Sequence, residues 1–266
     1  MIEFSAKVAK LWKSRRARII LSAILTGVFF GISALGLPAE DVLSGTRTLV
    51  WRETAPQDIV VVEIDESTLS QIGTDDTPRS ADAKLVKTLF DQGVSRVFFD
   101  RTYYFQEDAA GDQALAKALK QYPDRVFMGA LKGETDSATE VSMLPAGIFR
   151  GDVGVVSLMA YYHPFKLSVS FPFKSSTPDG EVPSMAAKLA DLDNPPEGMF
   201  KPDYAMDAST IPRFSYIDVL NQKVPDAKLQ GRDVVIAPSA ITFNDYHAMP
   251  FQGIMPGAYF QVIAAH

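Results

Sequence analysis

The chain has 266 residues, with 26 basic and 32 acidic side chains, a formal charge of −6 and no cysteine. The acidic balance, without a basic patch, argues against nucleic-acid binding, and the absence of cysteine excludes a disulfide framework. A hydrophobic fraction of 47% is sufficient for the core of one large or two small domains.

The N-terminal region contains a long uncharged segment, Ile19–Leu37. As a helix it would be about 28 Å long, against a bilayer core of about 30 Å. The residues before it are rich in lysine and arginine, whereas Glu40 and Asp41 follow it. This asymmetry predicts a cytoplasmic basic tail over residues 1–18, a transmembrane helix over 19–37 and an extracytoplasmic remainder. A cleaved signal peptide and a buried soluble helix are the alternatives.

After a connector over residues 38–58, apolar runs alternate with amphipathic segments. Nearly continuous β-branched or aromatic runs predict buried strands, at Ile59–Asp65, Arg96–Asp100, Arg125–Leu131 and Asp233–Ala237. Apolar stripes at helical spacing predict helices at Ser80–Gln92 and Asp112–Tyr122. This succession predicts an α/β domain with a doubly wound, mostly parallel sheet flanked by helices.

The middle of the chain is less regular. Lys132–Glu140 and Asp193–Thr210 are predicted as loops. Further strands are predicted at Asp152–Ser157, at Leu167–Phe173 with one exposed face, and at Arg213–Tyr216, and further helices at Pro183–Leu192 and Ile217–Asn221. A last helix begins near Pro256 and runs apolar to His266, which is typical of a chain cut before further segments.

Polar residues follow the predicted buried strands and suggest a ligand site. Asp65 and Asp100 each end an apolar run, and Ser239 follows a third, with Asp245 and His247 close behind. Parallel strands deliver such residues to one edge of the sheet, where ligands bind. We therefore predict a site formed by Asp65, Asp100 and Ser239, with Asp245, His247 and Arg79 at its rim. In the alternative interpretation, each acid only caps the helix or turn that follows.

No metal site, cofactor or enzymatic activity is predicted. The carboxylates suit a hard divalent cation but lack calcium-loop spacing, and the three histidines are too scattered for zinc. The chain contains no glycine-rich phosphate loop, nucleophile elbow or HExxH motif.

Several segments, in this order, resemble the type-2 CHASE domain, the "cyclases/histidine kinases associated sensory extracellular" group of bacteria. They are VVVEIDESTLSQIG at 60–73, PRS at 78–80, RVFFD at 96–100, GDQALAKAL at 111–119, VPSMAAKLA at 182–190, IDVLN at 217–221 and LQGRDVVIAPSAITFNDYHAMPFQGIMPG at 229–257. Gln261 stands where such domains commonly carry a histidine.

The resemblance implies that residues 59–266 form an extracytoplasmic sensor domain attached to the bacterial inner membrane. Further transmembrane helices and a cytoplasmic output domain would follow, namely a histidine kinase, a nucleotide (adenylate) cyclase, or a cyclic-di-GMP synthase or phosphodiesterase. The partners we expect are the lipid bilayer, a small extracytoplasmic ligand and a second copy of the chain. A membrane-anchored periplasmic enzyme and a binding or scaffold module are the alternative functions.

Overall fold

The computed structural model describes residues 15–32, 42–43, 45–46, 48, 50–134, 140–163 and 168–266. The chain divides into two compact units, Met1–Thr46 and Arg47–His266.

The first unit contains helix α1, Arg15–Ile32. Most of its large apolar side chains are exposed. Among the described residues, no helix has both the length and the apolarity needed to cross a membrane. Residues 1–14 of the predicted tail, 33–37 of the predicted span and 38–41 of the connector lie outside the described residues.

The second unit alternates strands and helices. Its strands are β1 Glu53–Thr54, β2 Ile59–Ile64, β3 Arg96–Thr102, β4 Val126–Glu134, β5 Glu140–Met143, β6 Gly154–Ser157, β7 Tyr161–Tyr162, β8 Val169–Pro172, β9 Lys174–Thr177, β10 Gly180–Pro183, β11 Met199–Phe200, β12 Met206–Asp207, β13 Arg213–Ser215, β14 Asp233–Pro238, β15 Tyr246–Met249 and β16 Gly253–Pro256. Its α-helices are α2 Glu66–Ile72, α3 Arg79–Asp91, α4 Ala109–Leu119, α5 Met185–Leu189, α6 Tyr216–Leu220 and α7 Gly257–Ala264. Short 3₁₀ helices span Ala208–Thr210, Asp226–Lys228 and Ile241–Phe243.

The central sheet has the strand order β13-β2-β14-β3-β4-β5, and β6 also pairs with β4. Every pair in it is parallel except β4 with β5. The four strands predicted from buried runs are therefore neighbours, in the order β2-β14-β3-β4. The late strand β14 lies between β2 and β3, an insertion that local sequence patterns do not reveal.

Both faces of the sheet are covered by helices, as the doubly wound prediction requires. One set of alternate residues, which includes Val60, Val62 and Ile236, packs with the apolar faces of α3, α4 and α6. The opposite set, which includes Val61 and Val235, packs with α5 and α7. Because successive side chains of a strand point to opposite faces, strands buried on both sides need continuous apolar runs.

Helix boundaries follow the capping residues. Asp65 caps α2, a helix that the sequence patterns did not predict, and Gly73 ends it with a φ of 79°. Asp108 caps α4, so this helix begins at Ala109, three residues before the predicted start at Asp112. The Asp108 carboxylate accepts from the backbone N–H groups of the first turn, and this satisfies donors that have no partner within the helix.

Three predictions in the middle of the chain were wrong. The loop predicted at Asp193–Thr210 contains the short strands β11 and β12 and the 3₁₀ helix Ala208–Thr210. The loop predicted at Lys132–Glu140 contains the end of β4 and the start of β5, which pair antiparallel, with residues 135–139 outside the described residues. An antiparallel strand pair accommodates polar residues because one face can contact solvent. The four residues of β8 are all buried, where one exposed face was predicted. Strand β8 lies between β7 and β11, and its Ser170 hydroxyl lies 2.9 Å from His163 Nε2.

Candidate ligand-binding site

A cavity of about 600 Å³ opens at the carboxyl ends of β3 and β14, beside the first turn of α7. We call it the Asp100 cavity. The polar side chains along it include Asp100, Arg101, Lys132, Asp245, His247 and Gln261. Ligands of parallel α/β sheets bind at this edge, so the position agrees with the topological argument.

Asp100 occupies a β-bulge. Phe99 pairs with Met128, but the next pairing joins Thr102 to Gly129, so Asp100 and Arg101 have no partners on β4. Bulges redirect side chains and are frequent beside functional sites. Asp100 is only 9% exposed, yet its carboxylate makes no hydrogen bond or ion pair with any residue that the structure describes.

The bulge depends on a glycine across the strand pair. A Cβ added at Gly129 would lie 2.9 Å from the carbonyl oxygen of Arg101 and 2.4 Å from Leu158 Cδ1. Real Cβ atoms essentially never approach other heavy atoms so closely. Gly129 therefore lets the bulged backbone of β3 and the side chain of Leu158 approach β4.

Asp245 is the second acid of the cavity. It follows Asn244, whose φ of 53° turns the chain toward β15. His247 Nε2 lies 3.0 Å from Asp245 Oδ1. A Cβ on Gly257 would lie 2.9 Å from Asp245 Oδ2, so a glycine at the first residue of α7 lets the carboxylate approach the helix N-terminus. Negative charge is favoured at that end of a helix.

The electrostatics of the two acids differ. Burial and the charge of Asp245 raise the pKa of Asp100 to about 8. Burial also raises the pKa of Asp245, but the hydrogen bond and charge of His247 and the backbone N–H of Gly257 oppose that increase. Asp100 is thus the acid that the protein leaves uncompensated, and it is largely protonated at neutral pH.

Aromatic rings form an adjoining wall of the cavity. The ring centroids of Tyr162 and Phe260 are 6.5 Å apart, and that of His247 is 6.1 Å from Phe260. Burial and the charge of Asp245 raise the pKa of Tyr162, so this ring lies close to the acids. Gln261, 4% exposed, donates from Nε2 to the carbonyl oxygen of Leu158, while its Oε1 has no hydrogen-bond partner among the described residues.

A second cavity, of about 460 Å³, contains Asp65 and Ser239. We call it the Asp65 cavity. Glu63, Arg213 and Tyr259 also line it. The Tyr259 hydroxyl donates to Glu63 Oε1 at 2.8 Å, and Arg213 Nη1 lies 3.4 Å from the same hydroxyl. Burial raises the pKa of Glu63, and the bond from Tyr259 opposes that increase.

One oxygen of the Asp65 carboxylate caps α2 and accepts three hydrogen bonds. Its Oδ1 accepts from the backbone N–H of Thr68 at 2.8 Å, from the Thr68 hydroxyl at 2.7 Å and from the Ser215 hydroxyl at 2.9 Å. Asp65 therefore caps a helix, which was the alternative interpretation of this acid.

The predicted site residues fall into three groups: those that line the Asp100 cavity, those that line the Asp65 cavity, and Arg79. Asp100, Asp245 and His247 line the Asp100 cavity, whereas Asp65 and Ser239 line the Asp65 cavity. The reason is the position of β14, which puts β2 and β3 about 10 Å apart at the usual strand spacing.

Arg79 lines neither of these cavities. It begins α3, is 4% exposed, and its Nε lies 3.1 Å from Glu107 Oε2 and 3.8 Å from Asp112 Oδ1. Its guanidinium carbon is 4.4 Å from the ring centroid of Tyr103. These contacts give Arg79 partners inside the protein.

The family model for the CHASE2 domain matches residues 19–266 of the chain. The chain belongs to the CHASE2 family. CHASE2 domains are sensory extracellular domains found in signalling proteins. No curated protein and no solved structure matches the chain significantly.

Two of the segments that resemble CHASE2 domains supply three polar side chains of the Asp100 cavity, namely Asp100, Asp245 and His247. Arg96–Asp100 ends at the bulge, and Leu229–Gly257 carries Asp245, His247 and the first residue of α7. The departure at Gln261 also falls in this cavity. In this CHASE2 domain, two of the family-like segments therefore meet at the Asp100 cavity.

We did not predict Tyr162, Phe260 or Gln261 as site residues from the sequence. Helical periodicity would have found two of them, because Gly257, Phe260 and Gln261 are spaced i, i+3, i+4 and so share one face of α7. No comparable signal marks Tyr162, which reaches the cavity from the short strand β7. Across the described residues, no group of three or more metal-ligating side chains is close enough to hold a metal ion.

Proposed function

We propose that this chain is the extracytoplasmic sensory input domain of a bacterial membrane signalling protein, and that a small ligand binds in the Asp100 cavity. The observation that carries the proposal is the Asp100 carboxylate, nine-tenths buried, without a partner among the described residues and held in a bulge beside a 600 Å³ cavity. Folded proteins rarely bury an unpaired carboxylate, and such groups with a displaced pKa are typical of functional sites. A cavity of this volume is of the size that small ligands occupy.

Helix α7 is the element best placed to respond to a ligand. It contributes Gly257, Phe260 and Gln261 to the Asp100 cavity and Tyr259 to the Asp65 cavity, so it separates the two. The helix packs on β2 and β14 and on α5. A ligand moves such a helix only if it binds one arrangement better than the other. In this proposal, the ligand distinguishes the two arrangements of the helix through its contacts with the first two turns of α7.

Attachment to the membrane belongs to the same proposal. The uncharged segment Ile19–Leu37 would be the anchor, with the basic tail in the cytoplasm and the sensor domain in the periplasm. A homodimer would signal through its membrane helices to a kinase, cyclase or cyclic-di-GMP enzyme. Alkaline phosphatase fused after Gly133 should be active in a bacterial host. Fluorescence from a reporter that matures only in the cytoplasm, fused at the same site, would contradict this topology.

The site is tested in the natural full-length protein. The coding sequence beyond His266 identifies the output domain, whose activity is then measured in cells. Asp100→Asn and Asp245→Asn should each change the output at least threefold. Asp75→Asn, the same change at an exposed acid, should leave it unaltered. Normal output from both cavity variants, at wild-type protein levels, would refute the assignment of the site.

A further inference from the structure

We propose that the ligand of the Asp100 cavity is a small organic cation, a protonated amine that carries an apolar group. The ammonium would lie between Asp100 and Asp245, and the apolar group against Tyr162 and Phe260. This inference rests on the proposed function and adds the chemical class of the ligand.

The charges around the cavity support a cationic ligand. Arg101 Nη2 lies 2.6 Å from Asp76 Oδ2 and its Nη1 donates to the Thr77 hydroxyl at 2.7 Å, so this guanidinium is engaged away from Asp100. His247 is engaged with Asp245. Lys132, which also lines the cavity, has interactions of its own. Asp100 therefore remains an acid to which the described residues supply neither a hydrogen-bond donor nor a paired cation.

The hydrogen-bonding groups are mostly acceptors. An ammonium has three N–H donors and no acceptor. The two carboxylates offer several lone pairs, and the buried Gln261 Oε1 is an acceptor without a partner among the described residues. Gln261 belongs to α7 rather than to the acidic pair, so it is an independent indication of a missing donor. Unsatisfied buried acceptors are costly, and a ligand that donates to them removes that cost.

The walls of the cavity favour an organic cation over a metal ion. Tyr162 and Phe260 present aromatic rings beside the acids, and rings attract cations through their negatively polarised faces. Leu158, Met159 and Phe243 extend the apolar lining. A Ca²⁺ or Mg²⁺ ion requires about six oxygen ligands, and among the described residues no group of three or more metal-ligating side chains is close enough to hold a metal ion.

Binding should be coupled to a proton. The free protein holds Asp100 largely protonated at neutral pH, whereas an ammonium beside it favours the ionised carboxylate. A proton bound to Asp100 is then released to the buffer as the amine binds. Asp245, His247, Arg101, Asp76, Lys132 and Tyr162 are the other titratable groups along the cavity, so the assignment to Asp100 requires the variant. Amine affinity should rise as the pH increases from about 6 to about 8.

The test is calorimetric titration of the full chain in detergent with three probes that share a phenylethyl group and differ in the charge of the polar group. They are 2-phenylethylamine, the neutral 2-phenylethanol and the anionic 3-phenylpropionate, with magnesium chloride as a fourth titrant. At pH 7, the amine should bind at least tenfold more tightly than the alcohol or the carboxylate. Titrations in buffers of different ionisation enthalpy should reveal the released proton. Asp100→Asn and Asp245→Asn should each weaken amine binding at least tenfold, and Asp100→Asn should abolish the proton release.

Two further variants keep the inference testable if an acid substitution impairs folding. Tyr162→Leu removes an aromatic face without changing charge, and it should weaken amine binding threefold or more. Asp75→Asn should bind like the wild-type protein. Tighter binding of the alcohol, the carboxylate or Mg²⁺ than of the amine would overturn the amine assignment. Wild-type affinity for the amine in both single variants, Asp100→Asn and Tyr162→Leu, would also overturn it. Loss of binding in Asp65→Asn alone would move the site to the other cavity.

Failure of this inference is distinguishable from failure of the proposed function. If no probe binds, or if the alcohol or the carboxylate binds best, the amine assignment is wrong. The output assay with Asp100→Asn and Asp245→Asn still reports whether the cavity controls signalling, because it requires no knowledge of the ligand.

Discussion

The Asp100 cavity and the Asp65 cavity lie on either side of the carboxyl end of β14, and each contains an acid that follows an apolar run. In the sequence the two patterns look alike, since both are a buried strand that ends in aspartate. In the structure the Asp65 carboxylate accepts three hydrogen bonds, whereas that of Asp100 accepts none from the described residues. The difference arises in the residues that follow. A helix begins directly after Asp65 and supplies N–H donors, while β3 continues through a bulge after Asp100.

The same contrast holds for the neighbouring acids. In the Asp65 cavity, Glu63 accepts a hydrogen bond from Tyr259 and lies near Arg213, so the protein itself satisfies the buried charge. In the Asp100 cavity, Asp245 is paired with His247 and Asp76 with Arg101, but Asp100 has no such partner among the described residues. The protein therefore supplies partners for the buried acids of the Asp65 cavity but leaves Asp100 without one among the described residues, and this contrast is why we assign ligand binding to the Asp100 cavity. Four predictions test this contrast.

The largest effect should come from Asp100→Asn measured against pH. The folded-state pKa of Asp100, about 8, is raised above its ordinary value of 3.8, so between these values the folded protein holds a proton that the unfolded chain has released. The free energy of unfolding therefore falls as the pH rises through this window. Asparagine cannot ionise, so the variant should lack this loss, which is on the order of 3 kcal/mol between pH 5 and pH 8.

Urea denaturation of the full chain at several pH values measures this difference, and Asp75→Asn is the matched exposed substitution. Identical pH dependence of stability in the wild-type and Asp100→Asn proteins would show that Asp100 is not an uncompensated acid.

The second effect concerns the bulge. Gly129→Ala forces a methyl group against the Arg101 carbonyl and Leu158, so the strand pair must shift. Overpacking of this kind typically costs about 1–3 kcal/mol. Gly147→Ala is the matched control, because a Cβ there meets no atom within 4 Å. Chemical denaturation compares the two variants, and equal stabilities would mean that the bulge relaxes without cost.

Much of the fold could be predicted because its signals are local. Runs such as Ile59–Ile64 and Asp233–Pro238 are buried on both faces, and this requirement is visible as continuous apolar sequence. The order of the strands is not local. Nothing in either run indicates that β14 inserts between β2 and β3, and this insertion is what separates Asp65 from Asp100.

The candidate site was predicted in part for the same reason. Asp100, Asp245 and His247 were found because strand ends and the turns after them meet at one edge of a sheet. The bulge at Asp100 depends on Gly129, a contact between two strands that no single segment encodes. Arg79 was placed at the rim on the basis of a turn, but the structure gives it Glu107 and Asp112 as partners.

The third effect should come from Asp65→Ala, which removes the cap of α2. Thr68 is fully buried and would lose the acceptor for both its N–H and its hydroxyl group. Loss of an N-cap costs about 0.5–2 kcal/mol. Asp65→Asn keeps an acceptor and should cost less. Thermal unfolding ranks the two variants, and a stabilising Asp65→Ala would mean that Asp65, like Asp100, is an acid without compensation.

The smallest effect should come from Tyr259→Phe. This change removes a hydrogen-bond donor from Glu63, a buried acid of the Asp65 cavity, and so brings it closer to the situation of Asp100. The substitution removes the hydroxyl that donates to Glu63 Oε1 at 2.8 Å and leaves Arg213 as the remaining favourable charge. Loss of one such hydrogen bond costs about 0.5–1.5 kcal/mol. Because the bond favours the ionised carboxylate, its loss raises the pKa of Glu63 further. The destabilisation should therefore be present at neutral pH and decrease as Glu63 becomes protonated in acid.

Tyr246→Phe is the matched control, since that hydroxyl lines the same cavity but donates to the carbonyl oxygen of Ser239, which does not titrate. Denaturation at pH 7 and pH 5 should separate the two variants, and equal pH dependence would show that Tyr259 does not stabilise the charge of Glu63.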